Sequence, residues 1–239
     1  MKKVPFLLLV VTLMLSVGFV FAATPTKGAV TKHGVKTTHK LPAPAAPNVV
    51  LYDQYDNSGI YGWTSQDFEA AYDAFDNQGA DDFVVPSGET WNVDEVDVKG
   101  VYFNGAGPSA SFHVFIYSDN AGLPGTVVYT GLNQTYIETP DGSGLVDDVI
   151  TLSPAAVLTE GTYWVSVQSQ MDFTVGGQWG WQERTVQSGN PAAWQNPGGG
   201  FGTACSTYGV RTTCLGAGTP DNMFRVAGTV GAACAYSND

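Results

Sequence analysis

Between Gly79 and Gly125 short apolar runs alternate with turn chemistry, and that rhythm leaves room for little besides β-structure. Asp82-Phe83-Val84-Val85 is a β-rich run stopped by the turn triplet Pro86-Ser87-Gly88. From Trp91 the residues alternate, but the apolar parity switches between Val93 and Val96. A regular strand would then expose one set, so a bulge or twist is expected near Asp94-Glu95. Asn104-Gly105-Ala106-Gly107-Pro108 interrupts the next extended run. Phe112 to Tyr117 is apolar on both parities, the pattern of a central strand covered on both faces. Ser118 to Gly125 is a turn, with Asx residues to cap it, Gly for positive φ and Pro to preset φ.

The rest of the chain repeats this grammar. Strands are expected at 48–52, 126–130, 132–138, 146–152, 162–168, 178–184 and 222–230. Gln66 to Phe75 offers one or two helical turns with Ser65 as N-cap. The preferred reading there is a structured loop carrying Tyr61, Trp63, Phe68 and Phe75 over the sheet edge. About ten short strands with almost no helix predict an all-β, antiparallel β-sandwich of jelly-roll type, as one domain over 48–235.

Several segments resemble a β-sandwich module that recurs in secreted bacterial proteins, alone or beside other extracellular modules. Asp81-Asp82-Phe83, Pro86, Gly88, Trp91, Tyr117-Ser118-Asp119 and Leu123-Pro124-Gly125 carry the likeness. Trp194-Gln195-Asn196-Pro197 and Phe224-Arg225-Val226-Ala227-Gly228 extend it. The resemblance implies the sandwich fold and a secreted habit. It carries over no catalytic residue.

Compartment follows from the N-terminus. Lys2 and Lys3 precede an apolar stretch from Phe6 to Phe21, and Val20-Phe21-Ala22 fits small-x-small cleavage after Ala22. A secretory signal at 1–22 is expected, with an uncleaved anchor as the alternative and no membrane span after cleavage. Residues 23–47, rich in Thr, Lys, Ala and Pro, read as a disordered linker. His33 and His39 fall there without acidic or Cys company, too few ligands for a metal site.

The whole chain has net charge −12, with 10 basic and 22 acidic residues. Six of the basic residues lie within the first forty, so from Leu41 onward four face 22 acids, a balance of −18. Such a surface repels nucleic acid and anionic lipid. Three cysteines remain, and export permits a disulfide. Cys205–Cys214, closing a short Gly/Thr-rich loop, is the first choice, and Cys214–Cys234 is the rival.

Three kinds of site were weighed. Trp179, Trp181, Trp194 and Phe201, with Tyr208, gather in the late loop-rich region, and Trp179 and Trp181 share one strand face. Exposed rings of this kind hold the C–H face of a sugar, with Gln178, Gln182, Asn190 and Gln195 available for hydrogen bonds. The competing reading buries them in the core. A structural Ca²⁺ site is offered by Asp53, Asp56 and Asn57, with Asp141, Asp147 and Asp148 as a second acidic run. Turn capping competes, and the order of an EF-hand loop is missing.

Catalysis finds least support. His113 stands among apolar neighbours, Asp81-Asp82 reads as capping at a strand start, and no spacing pairs Glu89, Glu138, Glu160 or Glu183. Asn133-Gln134-Thr135 matches a glycosylation sequon expected to be unused in a chain of bacterial type. The leading expectation is an exported, non-catalytic binding or display module whose partner is a polysaccharide or cell-surface glycan. A structural or adhesive protein is second and a secreted hydrolase third.

Overall fold

The computed structural model describes residues 49–232. The expected signal, the linker and Cys234 lie outside the described residues. The order is β1 (Val49–Asp53), β2 (Ser58–Thr64), β3 (Gln66–Asp67), a 3-10 turn (Ala70–Phe75), β4 (Gln78–Phe103) and β5 (Ser111–Asp119). There follow β6 (Pro124–Gln134), β7 (Tyr136–Pro140), β8 (Val146–Gln170), α1 (Phe173–Gly176), β9 (Gln178–Arg184) and β10 (Ala193–Gln195). The last elements are β11 (Gly209–Val210), α2 (Arg211–Leu215), β12 (Asp221–Asn222) and β13 (Phe224–Ala232). Strands hold 61% of the described residues and helices 8%, which makes the fold all-β and sandwich-like.

Two long irregular strands organise it. The first part of β4 pairs with the end of β8, Gly79 opposite Val167 and Val85 opposite Gly161. Its later part pairs with the start of β8, Glu95 opposite Thr151 and Gly100 opposite Val146. Both strands therefore serve both halves of the sheet system, whose main path runs β1-β13-β4-β8-β5-β6. All pairings are antiparallel except β3 with β8.

The expected bulge is present. Register shifts between Val93 and Glu95 against β8, and on the other side between Ala227 and Gly228 of β13. The apolar parity can switch there because Asp94 drops out of the ladder. Gly228 is required at this point, since a Cβ would stand 2.0 Å from the Asn92 carbonyl oxygen. The turn expected at Pro86-Ser87-Gly88 is a second irregularity, between Val85 and Thr90, inside one continuous strand.

The core lies between the two halves. Phe83, Trp91, Val96, Phe112, Ile150 and Trp181 belong to one cluster, each no more than 3% exposed. A smaller cluster of Phe68, Phe173, Trp194, Phe201 and Cys214 sits under the late loops. The Cys205–Cys214 disulfide closes over it with Cα atoms 5.6 Å apart, as the spacing predicted.

Three local expectations change. Ser65 does not cap a helix; its hydroxyl donates to the Val167 carbonyl at 2.5 Å, and the 3-10 turn begins at Ala70. The strands expected at 146–152 and 162–168 are parts of one strand, β8. Finally, Phe112 to Tyr117 is covered unequally. Phe112, Val114 and Ile116 face the core at 0–1% exposure, while Phe115 on the opposite face is partly open.

Candidate functional site

The tryptophans proposed as an exposed platform are core residues. Trp179 and Trp181 lie on β9, every residue of which is buried because β4 and β2 flank it. Trp179 is 0% exposed, Trp181 1% and Trp194 0%. Each indole N–H is satisfied internally, as a buried tryptophan requires. Trp179 donates to Asp148 Oδ2 at 3.0 Å, Trp181 to the Met223 carbonyl at 2.8 Å and Trp194 to the Thr64 carbonyl at 2.9 Å. Phe201 packs against Phe75 and Trp194 with ring centres 5.2 and 5.9 Å away. None of the four offers a face to a ligand.

The oxygens proposed for Ca²⁺ have other partners. Asp53 accepts the Tyr55 N–H at 2.8 Å, an Asx turn. Asp56 accepts from Arg184 Nε at 2.7 Å, and Asn57 takes a left-handed φ of 51° with its carbonyl oxygen bonded to Thr185. Among the described residues no three His, Cys, Asp or Glu side chains gather as they would around a metal ion.

The acidic residues divide between two buried networks and one open cleft. In the first network Asp81 Oδ2 accepts from Gln54 Nε2 at 3.0 Å and from the Asn222 N–H at 2.6 Å. Arg211, 1% exposed, donates to Asn222 Oδ1 and to the carbonyls of Thr219 and Asp221. Burial, and then the Asp221 charge, hold the Asp81 carboxyl well above its ordinary range. In the second network Asp148 is raised by burial and then by Glu138, its cross-strand partner. Both networks fasten strands and loops together inside the protein.

The cleft opens on the outer side of β5. Its residues alternate, so His113, Phe115 and Tyr117 share the face opposite the core. Gln168 stands across from His113 on β8, Gln78 begins β4, and Asp67 comes from β3. His113, Phe115, Gln168, Gln78 and Asp67 line a cavity of about 490 Å³, with Asp76 and Pro197 also in its wall.

Its polar groups are set in place. The Asn133 N–H donates to His113 Nδ1 at 2.9 Å, so the neutral ring carries its proton on Nε2. Nε2 then meets Asp67 Oδ2 at 3.1 Å. Gln168 Nε2 donates to the Asn77 carbonyl at 3.0 Å, which turns its amide oxygen toward Gln78. Burial pushes the Asp76 carboxyl up to about 6, helped by the charges of Asp67 and Asp73 and a hydrogen bond shared with Asp67.

Those two carboxyls bear on the hydrolase expectation. Glycosidase carboxyls stand about 5–5.5 Å apart in retaining enzymes and about 6.5–9.5 Å apart in inverting ones. For Asp67 and Asp76 each carboxyl is already engaged within the protein, Asp67 Oδ2 with His113 Nε2 at 3.1 Å and Asp76 Oδ1 with the Phe68 N–H at 2.8 Å. What the cleft can do is accept hydroxyl protons on fixed carboxylate and amide oxygens and offer the Phe115 ring to a C–H surface. No Lys or Arg lines it, so it disfavours anions.

Sequence reasoning passed over this site. The reading of His113 as a satisfied residue of a covered strand holds, at 8% exposure, but it does not reveal that Asp67, His113 and Phe115 line one cavity. The usable signal was that His, Phe and Tyr occupy one parity of β5 while Phe, Val and Ile occupy the other. Of the late aromatic cluster, only Tyr208 approaches the β5 face, together with Gln195.

Comparison of the chain with protein-family models, curated proteins and solved structures gives no match. No helix among the described residues is long and apolar enough to cross a membrane.

Proposed function

We propose that this protein is an exported, non-catalytic β-sandwich that binds a neutral, hydroxyl-rich glycan in the cleft beside β5. The observation that carries the reading is the cleft's lining: oriented carboxylate, imidazole and amide groups around one partly open aromatic ring, with no Lys or Arg among the described residues that line it. Neutral sugars present that complement, with clustered hydroxyls on one side and C–H bonds on the other. Export is supported by the signal-like N-terminus, by the disulfide, and by the resemblance to a secreted sandwich module.

The test is a pull-down of the full-length chain on insoluble and arrayed glycans, neutral and anionic, followed by titration. Neutral glycans are expected to be retained. Phe115→Ala is expected to weaken binding about tenfold or more, roughly 1.4 kcal/mol of lost ring contact. Chelator is expected to change nothing. Retention of anionic glycans alone, or binding indifferent to Phe115, would contradict the assignment.

A structural or adhesive role is favoured by one observation. Among the described residues β6 pairs only with β5, and its Val127, Val128 and Leu132 are 45%, 48% and 53% exposed. An open apolar strand of this kind invites edge pairing. Concentration-dependent assembly abolished by Val128→Lys would support that role.

A further inference from the structure

A second cavity, of about 370 Å³, lies further along β5. One wall is the β5–β6 turn, with Asn120 and Leu123; the other is Thr207 and Tyr208 from the loop after β10. Tyr117 forms part of its floor. No acid or base lines it, so it is a neutral site of hydroxyls, amides and aromatic rings.

The two cavities are joined by hydrogen bonds between their lining side chains. Gln78, in the first, accepts on Oε1 from Gln195 Nε2 at 2.6 Å and from the hydroxyls of Tyr208 and Tyr117 at 3.3 and 3.5 Å. Gln195 and both tyrosines line the second. The Tyr117 and Tyr208 rings meet edge to face, 5.4 Å apart. His113 and Tyr117 are four residues apart on one strand face, a span of roughly 13 Å. That exceeds one sugar ring.

We infer that the two cavities are subsites of one groove, and that the ligand is an extended neutral glycan chain lying along β5 across the Gln78 ridge. This rests on the glycan reading of the first cavity and adds the ligand's length and direction. Tyr208 is then the residue that confers preference for a chain over a single sugar. Its position is fixed from both sides. β10 and β11 pair through Trp194 and Gly209, and the Cys205–Cys214 bridge closes the loop around it. Gly209 permits this closeness, because a Cβ would meet the two sulfurs at 3.0 and 3.1 Å.

The experiment is a calorimetric titration of the full-length chain with one neutral glycan in lengths from one to six sugars, the glycan being that retained in the pull-down. Affinity is expected to rise at least about tenfold with length and then level off. Tyr208→Ala is expected to erase most of the gain with length, weakening the longest ligand far more than the shortest. Phe115→Ala is expected to weaken every length. Tyr208→Phe keeps the ring and is expected to fall between wild type and Tyr208→Ala, which also guards against a misfolded loop. Length-independent binding that still needs Phe115 would keep the glycan reading and overturn the extended groove. Equal loss at every length in Tyr208→Ala would overturn it too. Failure of every length to bind would remove both.

Discussion

Trp179→Ala is expected to cost the fold about 3–5 kcal/mol, a large share of the about 5–15 kcal/mol that holds a typical domain together. The side chain is completely buried and packs edge to face on Phe112, ring centres 5.1 Å apart. Truncation opens a cavity between β9 and β5 that rigid flanking strands cannot collapse around. It also strips Asp148 Oδ2 of its indole donor, while Asp148 Oδ1 already has no hydrogen-bond partner among the described residues. Trp179→Phe separates the two effects. It keeps an aromatic ring in the site but loses the N–H and part of the ring volume, so it should cost about 1–3 kcal/mol. Urea unfolding midpoints at constant m measure both. The folded Phe variant should bind glycan as the wild type does, because this ring belongs to the core. Loss of binding in a stable Trp179→Phe protein would restore the tryptophan platform that burial argues against.

Arg211→Met is expected to be comparably damaging, about 3–5 kcal/mol near neutral pH. The guanidinium lies among three acidic residues, Asp81, Glu183 and Asp221, and also meets the Trp63 ring at 5.9 Å. Methionine replaces the stem but takes the Arg211 charge from Asp81 and Glu183, while Asp221 keeps only Arg184 at 3.6 Å. The cost should depend on pH in a definite direction. Burial already raises Asp81, and it lifts Asp221 to about 6. The folded state therefore holds protons that the unfolded chain, with carboxyls near 4, releases sooner. For groups raised in this way, stability is greatest at acidic pH and falls as pH climbs from about 4 toward 6. Removing Arg211 raises them further, so the loss in Arg211→Met should be small near pH 4 and full near pH 7. Thermal melts across that range read it directly. A loss independent of pH would mean that Arg211 acts through packing alone. Adding Asp81→Asn to Arg211→Met should recover part of the stability, since it removes one of the stranded charges.

These two sites also mark where the chain was legible and where it was not. The bulge at Asp94 could be read because a parity switch in a half-buried strand has one steric remedy. The Cys205–Cys214 bridge could be read because the two cysteines are only nine residues apart, with Gly209 between them. The burial of Trp179 and Trp181 could not. Both residues alternate properly on β9, and alternation does not reveal that a strand is enclosed on both sides by β2 and β4. The acidic residues misled in the same way. Asp53 and Asp56 look like oxygen ligands in sequence, yet their partners Tyr55, Arg184 and Arg225 include cations from more than a hundred residues away. The cleft was hardest to see, because it needs five strands and the 3-10 turn to converge. His113 reaches Asp67 only because β3 runs beside the end of β8. No local pattern encodes that pairing.

The central claim is that ligand meets the β5 face at His113, and NMR of the histidine rings tests it most directly. The chain holds three histidines, and among the described residues His113 alone lines the cleft; the His33 and His39 resonances are recorded beside it as references. During titration with the retained neutral glycan, the His113 ring resonances should shift saturably, with the affinity seen by calorimetry, while the references stay still. Saturable binding that leaves the His113 resonances unmoved would place the ligand elsewhere and contradict the account.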